Sequence, residues 1–538
     1  MPKSALYLLL SVLFSLIICS CSPNDLPGVV TITPPAPTAG PATATAFAVE
    51  GALPSLTPAP TEIPAMVSAT PAADGTNPTP TALPTDTAAA SNRPLYTIDA
   101  SMNYTAKSID VTQEITYLNQ TGEGLSQIVL AVEPNLLDNV FNLASVTVDG
   151  TKIDTFTLDG QRLEVTLPTP LAGGATVKLA LAYTLTLPII EQGDPNVVRP
   201  KIFGVADRQV NLVDWYPFIV PYLPGTGWVL HKPWFYGEHL VYDKADFDVT
   251  LHFTDPSTSS GQAADLPVIA ASAPAESLAD GGIHYRLDNA RDFSLSLGRS
   301  FKVVSQQIEG GVTISSYYFG LANEPAAKAA LDASVKAVST YTDLFGPYPH
   351  KSLAVVQGDF NDGMEFDGLY FLPNSFYNLY DGTEKNYQVI IAAHETAHQW
   401  WFGRVADDQA QEPWLDEALA TYSERIFLEK NYPDDIKWWW DLWNYRPDQC
   451  TPAGLTDTVL YDGGGFCPYT KAVYLTGANF LEDLRKQIGD ETFFAFLKDY
   501  STQMDGKIST TADFFRVLRA HTTEDIAPLV KKYFSGEH

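Results

Sequence analysis

Cysteine and basic residues are both scarce in this chain. Its 538 residues include four cysteines, and 33 lysines and arginines stand against 63 aspartates and glutamates, which gives a formal net charge of -30. A surface of that sign repels phosphates, so the composition argues against a nucleic-acid partner. Hydrophobic residues at 45% and aromatic residues at 12% are typical of a globular protein. The length predicts at least two domains.

The N-terminal apolar run is too short to cross a bilayer. LYLLLSVLFSLII covers residues 6–18 after Lys3, whereas a spanning helix needs about 20 apolar residues. The run is typical of a signal peptide over residues 1–21, and the small Ser20 before Cys21 resembles a bacterial lipobox. We therefore expect an extracytoplasmic, cell-surface lipoprotein with its lipid anchor on Cys21. The alternative is ordinary cleavage and a secreted protein without lipid.

Residues 22–94 lack the large apolar side chains that a core requires. Stretches such as TPAPTEIPAM and TNPTPTALPTDT are dominated by proline, threonine and alanine. Such a composition cannot bury enough apolar surface to offset its chain entropy. We predict a disordered stalk between the membrane anchor and the folded part of the chain.

Besides Cys19 and Cys21 near the N-terminus, the chain has Cys450 and Cys467. In an oxidising compartment, a pair so close in sequence favours one disulfide over a metal site. Two free buried thiols are the alternative.

Two folded regions follow the stalk. Residues 95–305 contain period-two alternation, as in SIDVTQEITY and TVKLALAYTL, separated by turn signals such as LDGQ and LAGGAT. This pattern predicts an antiparallel, β-sandwich-like domain. Residues 306–538 are mainly helical in pattern, with one short apolar strand in SLAVVQGDF that could pair with an extended substrate. The fold class is therefore α+β.

The stretch HETAHQWW, at residues 394–401, can bind a metal ion. His394 and His398 are four residues apart, so they lie one turn apart on one helix face, in a stripe predicted to end at Gly403. Two imidazoles so placed can bind one zinc ion, with Glu395 beside it as a general base. On this motif alone, two buried structural histidines remain the alternative.

A third ligand follows in EPWLDEALATYSERIFLEK. Glu417 lies on a strongly helical run after a connection of about ten residues, and an antiparallel second helix would return its carboxylate to the histidines. The expected site is one zinc ion bound by His394, His398 and Glu417. The acidic residues between the two helices, Asp407, Asp408 and Glu412, are better read as a surface turn than as partners of the histidines.

Together, HETAHQWWFG and WLDEALATY resemble the aminopeptidase N family of zinc metallopeptidases, the gluzincins. The resemblance extends over nearly everything from residue 95. It implies a thermolysin-like, mainly helical catalytic domain over residues 306–538, behind the β domain, in a short form without the large C-terminal helical domain of the family.

The same resemblance assigns substrate-binding residues. In DGMEFDGLYFL, residues Gly363, Met364 and Glu365 match the family signature G-x-M-E-N, whose glutamate binds the free α-amine of the substrate. Phe366 stands where the family has asparagine, and this departure bears on the aminopeptidase inference more than on the zinc site.

The family's catalytic tyrosine motif, Tyr-x-Lys-Gly-Ala, is similar to residues 474–478, with threonine in place of lysine. Gly477, Ala478 and the downstream IGDETF favour Tyr474, and Tyr469 in PYTKAV is the rival. The implied role is a hydrogen bond to the oxyanion. The aromatic run WWWDLW at residues 438–443 is more typical of packing than of a substrate cleft.

These features predict a zinc metallopeptidase that removes N-terminal residues from extracellular peptides. Glu395 is the expected general base and Tyr474 the expected oxyanion donor. One alternative is an endopeptidase or oligopeptidase with an open cleft. The other is a non-catalytic binding lipoprotein, which would have no need of Glu395 beside a metal ion.

Overall fold

The structure is a computed structural model that describes residues 91–190, 202–255, 266–360, 363–444, 450, 453–536 and 538. The predicted signal peptide, Cys21 and nearly all of the predicted stalk lie outside the described residues. Residues 91–538 belong to one compact unit. Within the described residues, no helix is long and apolar enough to cross a membrane.

The first region consists of strands. Its strands are β1 (Leu95–Asn103), β2 (Ser108–Leu118), β3 (Leu125–Ala131), β4 (Phe141–Val148), β5 (Thr151–Ile153), β6 (Phe156–Asp159), β7 (Arg162–Leu171), β8 (Thr176–Thr186), β9 (Gly204–Val205), β10 (Val210–Leu212), β11 (Phe218–Ile219), β12 (Tyr222–Leu223), β13 (Gly227–Trp228), β14 (Ala245–Phe253), β15 (Val268–Ala271), β16 (Ala275–Ser277), β17 (Ile283–Ala290) and β18 (Leu295–Gly298).

The largest sheet of this region has eight strands in the order β16-β17-β14-β1-β2-β8-β4-β5. The alternation that predicted these strands is visible in their burial: Ile109, Val111, Ile115 and Tyr117 of β2 all point into the core. All its pairs are antiparallel except β1 with β14, which is parallel. Two four-stranded sheets, β15-β18-β10-β9 and β11-β3-β7-β6, complete most of the domain.

A mixed five-stranded sheet begins the second region. Its strands are β19 (Phe301–Gln307), β20 (Thr313–Phe319), β21 (Ser352–Gly358), β22 (Met364–Phe366) and β23 (Leu369–Pro373). Their order is β19-β20-β21-β23-β22. The predicted boundary at residue 305 therefore falls within a strand. β21, which by its sequence could have paired with an extended substrate, is hydrogen-bonded to a strand on each side; β22 is the edge strand nearest to it in sequence.

Helices form the rest of the chain. They are α1 (Glu324–Phe345), α2 (Asn374–Leu379), α3 (Tyr387–Ala397), α4 (Trp414–Asn431), α5 (Ile436–Asn444), α6 (Phe466–Thr470), α7 (Gly477–Ile488), α8 (Asp490–Gln503), α9 (Thr511–His521) and α10 (Ala527–Tyr533). A π-helical turn, Lys471–Thr476, joins α6 to α7. With β strands first and helices second, the predicted α+β class is confirmed.

The helix of the HETAHQWW stretch ends earlier than its apolar stripe suggested. α3 ends at Ala397, and His398 continues the turn with helical backbone angles. The backbone N–H of Gly403 then donates to the carbonyl of His398, which closes a wider turn. Alanines on the buried face of α3 allow this helix to pack closely against both α1 and α4. Both histidines consequently lie inside the protein.

A buried polar cluster joins the two regions. The Arg291 side chain, from the loop after β17, donates to the carbonyls of Gly403 at 3.2 Å and Lys507 at 2.9 Å. Beside it, Lys244 lies 3.2 Å from a carboxylate oxygen of Asp367, the residue directly after β22. Because buried charges require such partners, the cluster fixes the β domain against the edge of the mixed sheet.

Candidate active site

Helices α3 and α4 bring the three predicted metal ligands together. His394 and His398 have ring centroids 4.7 Å apart. Oε2 of Glu417, in the first turn of α4, lies 3.4 Å from Nε2 of His394 and 3.7 Å from Nε2 of His398. One ligand atom from each residue lies within 4.8 Å of the other two. The three side chains therefore converge on a single point.

The other ring nitrogen of each histidine, Nδ1, lies against a carboxylate. Nδ1 of His394 lies 2.9 Å from Oε1 of Glu424, and Nδ1 of His398 lies 2.5 Å from Oδ1 of Asp416. A carboxylate at Nδ1 keeps the proton on that nitrogen and leaves the lone pair of Nε2 for a metal ion. Each histidine is thus oriented toward Glu417.

These residues fit a zinc ion. Oε2 of Glu417 is buried and has no hydrogen-bond partner, although two imidazole nitrogens lie nearby. A buried oxygen without a partner is costly, and a cation between the three atoms would remove that cost. Two imidazoles and one carboxylate with an open fourth position are the usual donors of a catalytic zinc site.

The charges of the cluster favour a cation. Burial lowers the pKa of His394, but the nearby carboxylates of Glu417 and Glu424 outweigh it and raise that pKa to about 9. Burial raises the pKa of Glu417, and the nearby imidazoles of His394 and His398 bring it below its ordinary value. The surrounding carboxylates therefore draw positive charge into the site, as a divalent ion requires.

Glu395 and Glu365 lie next to the ligands. Oxygens of both carboxylates fall within 4.8 Å of a His398 nitrogen and of each other. A Cβ atom on Gly363 would lie 2.8 Å from Oε1 of Glu395, so glycine at that position leaves room for the glutamate. Gly363, which directly precedes Met364 and so occupies the second position of the G-x-M-E signature, thus has a steric role in this chain.

Strand β22 presents Glu365 to the cavity and turns its neighbours away. Met364 and Phe366 point to the opposite side of the strand, and the Phe366 ring packs 6.1 Å from that of Phe371. The phenylalanine that departs from the family pattern lies in the core. Burial, with the nearby charges of Glu238, Asp416 and Glu417, raises the pKa of Glu365 well above its ordinary value, although His398 lowers it.

A carboxylate from the β domain completes this group. Glu238 lies within 4.8 Å of both Glu365 and Glu417, measured between one carboxylate oxygen of each residue. The sequence reasoning missed it, because nothing local to Glu238 in YGEHLVY indicates a site. Glu424 had a signal: it follows Glu417 by seven residues and so shares its helix face. Asp416 was adjacent to the ligand itself.

Tyr474 reaches the metal ligands and Tyr469 does not. The Tyr474 hydroxyl donates to Oε1 of Glu417 at 2.5 Å from the π-helical turn, a feature that often accompanies functional sites. Burial and the charge of Glu417 raise the pKa of Tyr474 well above its ordinary value. The Tyr469 hydroxyl is buried and forms no hydrogen bond. Tyr474 is therefore the tyrosine placed to act.

The site opens into a cavity of about 170 Å³. Glu238 and Glu365 line it beside His398, and Ile391, Trp443, Phe466 and Leu475 contribute apolar surface elsewhere. Cys467 is disulfide-bonded to Cys450, with their Cα atoms 4.9 Å apart, so the disulfide ties down the segment that carries Phe466. The cavity therefore combines two carboxylates, Glu238 and Glu365, which could bind an amine, with an apolar wall.

Of the three acidic residues between α3 and α4, two have other partners and the third, Asp407, is buried rather than part of a surface turn. Asp408 lies 2.8 Å from His231, and Glu412 accepts from the backbone N–H of Thr511. Asp407 is buried, and neither of its oxygens forms a hydrogen bond. Instead, Nδ1 of His394 lies against Glu424, and Nδ1 of His398 lies against Asp416 and the Trp401 carbonyl.

Comparison with known sequences identifies similar proteins. Residues 329–533 match the peptidase family M1 domain. The chain is 27% identical over 221 residues to aminopeptidase M1-D of Oryza sativa subsp. japonica, which covers 38% of this chain and 25% of that protein. It is 26% identical over 286 residues to aminopeptidase N of Lactobacillus delbrueckii subsp. lactis, which covers 48% and 31%. The chain thus spans a quarter to a third of these relatives.

Solved structures share the fold over most of the chain. An M1 zinc metallopeptidase from Deinococcus radiodurans superposes with a TM-score of 0.59 at 20% identity, and covers 83% of this chain and 94% of that one. A variant of that enzyme bound to a Tyr-Ser-Ala substrate gives a TM-score of 0.60 at 19% identity, with the same coverage. At this identity the likeness shows a common architecture.

Proposed function

We propose that the chain is a zinc-dependent aminopeptidase of peptidase family M1, whose domain matches residues 329–533. It would bind one zinc ion through His394, His398 and Glu417 and remove N-terminal residues from peptides. The observation that carries the proposal is the position of Glu238 and Glu365, which lie together beside the ligand set.

The two carboxylates would recognise the substrate ammonium group. Both have an oxygen within 4.8 Å of Glu417, so an amine held between them lies about one residue from the metal site. Charge-assisted hydrogen bonds of this kind are roughly twice as strong as neutral ones. Fixing the amine there places the first peptide bond at the ligand set, which accounts for cleavage after one residue.

The chemistry uses Glu395 and Tyr474. Zinc at this site would polarise the scissile carbonyl and lower the pKa of a water molecule. Glu395 takes a proton from the attacking water and passes it to the leaving nitrogen, a transfer that contributes about 10²–10⁴ in rate. The hydroxyl of Tyr474, which lies against Glu417, donates a hydrogen bond to the developing oxyanion, worth about 3 kcal/mol.

The test compares one peptide with a free and with an acetylated N-terminus, each with and without a chelator. Acetylation removes the ammonium charge and leaves the buried carboxylates without a partner, which costs about 3 kcal/mol. The expected result is a kcat/KM about 100-fold lower for the acetylated peptide, and no cleavage with chelator. Equal rates would favour the endopeptidase alternative, and no cleavage of a peptide panel would favour a binding protein.

We further propose an extracytoplasmic location, with the chain anchored by lipid on Cys21. Support comes from the apolar run at residues 6–18, the small Ser20 and the proline-rich segment that follows. A Cys21→Ser variant should move from the membrane fraction to the soluble fraction and lose incorporation of labelled fatty acid. Unlabelled, soluble wild-type protein would instead support secretion without an anchor.

A further inference from the structure

Two tryptophans of α5 bind one carboxylate oxygen behind the metal site. Trp439 and Trp443 are four residues apart and share a helix face. The indole N–H of Trp439 donates to Oε2 of Glu424 at 2.6 Å, and that of Trp443 donates to the same oxygen at 2.9 Å. The other oxygen, Oε1, lies 2.9 Å from Nδ1 of His394. The carboxylate is thus divided between the tryptophans and the metal ligand.

This arrangement fixes Glu424 in one orientation. Glu424 is 1% exposed and Trp439 is fully buried, so the hydrogen bond between them forms away from solvent. Two rigid indole donors on Oε2 leave Oε1 to accept the Nδ1 proton of His394. The orientation of the carboxylate therefore determines both the direction of the imidazole ring and the nitrogen that carries its proton.

The two histidines are supported in different ways. Nδ1 of His398 is held by Asp416, which adjoins Glu417 on α4 and accepts a further bond from Gln409 at 3.0 Å. The support of His394 instead comes through a separate helix, α5. Trp443 also lines the substrate cavity. The same indole therefore contacts the metal-site network with its N–H and the cavity with its ring.

We propose that Trp439 and Trp443 are positioning residues for the metal centre, which fix the orientation and tautomer of His394 through Glu424. The inference rests on the proposed zinc-dependent function. Residues that orient a metal ligand typically change metal affinity by 10-fold to 100-fold when they are replaced. Removal of either indole N–H should therefore weaken zinc binding without removal of any ligand.

The experiment replaces single tryptophans by phenylalanine, which keeps a ring and removes the N–H. Trp439→Phe and Trp443→Phe are compared with Trp440→Phe, whose ring packs 4.7 Å from that of Trp439 on the same helix. The zinc Kd is measured by competition with a chromophoric chelator, and the visible absorption of the cobalt-substituted protein reports ligand geometry. We expect a Kd about 10-fold higher and a shifted cobalt spectrum for the first two variants, and wild-type values for Trp440→Phe.

The outcomes separate this inference from the proposed function. Wild-type Kd and cobalt spectra in Trp439→Phe and Trp443→Phe would overturn the positioning role, while the wild type still binds zinc and cleaves peptides. A wild type that binds no zinc would overturn the proposed function itself. If Trp439→Phe does not fold, as judged by its thermal unfolding, the partly exposed Trp443→Phe decides the question.

Discussion

Glu395 is the side chain on which the proposed chemistry most depends. It is 5% exposed and follows His394 in sequence, and it is not one of the three residues proposed to bind the metal ion. We predict that Glu395→Gln lowers kcat by about 10²–10⁴, because the amide cannot accept the water proton. Bound zinc, measured by metal analysis, should stay at the wild-type level. Wild-type turnover in this variant would rule out the assignment.

Glu238 should affect recognition of the substrate and leave the metal site intact. We predict that Glu238→Gln raises KM for a free peptide and lowers kcat/KM about 10-fold, because one of two charged amine partners becomes neutral. The kcat/KM for the acetylated peptide should change less. The ratio of kcat/KM for the free peptide to kcat/KM for the acetylated peptide should therefore decrease. Glu114→Gln, on an exposed ion pair of the same domain, is the control. An equal loss on both peptides would indicate a structural role.

Among single residues, those marked by their spacing to nearby residues in the sequence could be predicted. His394 and His398 lie one turn apart, and Glu417 follows on the next helix, so spacing alone predicted the convergence that the structure has. Glu238 approaches Glu365 only after the β domain packs against the mixed sheet, and no spacing in the sequence encodes that approach. The roles of all these residues stay predictions until they are tested.

Among the elements, the contact between α4 and the start of α7 positions Tyr474. A Cβ atom on Gly477 would lie 2.4 Å from Cβ of Ala418, one residue after the metal ligand Glu417. We predict that Gly477→Ala destabilises the protein by about 1–3 kcal/mol, through overpacking, and lowers kcat by displacing the Tyr474 hydroxyl. Thermal unfolding and steady-state kinetics measure the two effects.

The control for this variant is Gly124→Ala, where an added Cβ atom meets nothing within 4 Å. It should leave both stability and kcat near their wild-type values. If Gly477→Ala behaves like Gly124→Ala, the close approach of the two helices does not constrain Tyr474.

The elements themselves were predictable where periodicity is strong. The alternation in SIDVTQEITY predicted β2, and the helical stripe predicted α3. The stripe overestimated the length of α3, because His398, Trp401 and Gly403 continue the spacing through a wider turn that is no longer regular helix. The π-helical turn at Lys471–Thr476 has no periodic signal of its own, since it is a single turn whose hydrogen bonds span one residue more than those of an α-helix.

For the whole molecule, the polar cluster between the two regions should make stability depend on pH. Burial raises the pKa of Asp367, but Lys244 and His350 hold it well below its ordinary value of about 3.8. A carboxyl group with a depressed folded pKa contributes stability above that ordinary value and loses it as the pH falls below it. Asp367 therefore stabilises the protein at neutral pH and less so in acid.

We predict that Asp367→Asn lowers the free energy of unfolding by about 3 kcal/mol at pH 7, because Lys244 loses a buried partner. The difference from the wild type should shrink as the pH falls below about 4, and denaturant titrations at several pH values would measure it. The exposed pair of Asp248 with Arg286 supplies the control, since Asp248→Asn should cost less than about 1 kcal/mol. A difference between wild type and Asp367→Asn that does not vary with pH would contradict the prediction.

The order of the two regions was accessible from sequence, because alternation gives way to helical periodicity near residue 320. Their boundary was not, since β19 contains the predicted end of the β domain and pairs with β20 of the next region. Strand pairing across a boundary depends on tertiary contacts, whereas the pattern of each strand reports only its own buried face.

The two carboxylates proposed to bind the amine come from different regions, Glu238 from the first and Glu365 from the second, while all three proposed metal ligands come from the second. A small rotation between the two regions would separate Glu238 from Glu365 and leave the three proposed metal ligands together. Such a motion would change which substrates bind, while the proposed zinc ligands and Glu395 would keep their relative positions. Under the proposed function, exopeptidase selectivity would then depend on how the two regions are assembled, and substitutions around Arg291 and Asp367 would change it without replacing a metal-binding or proton-transferring side chain.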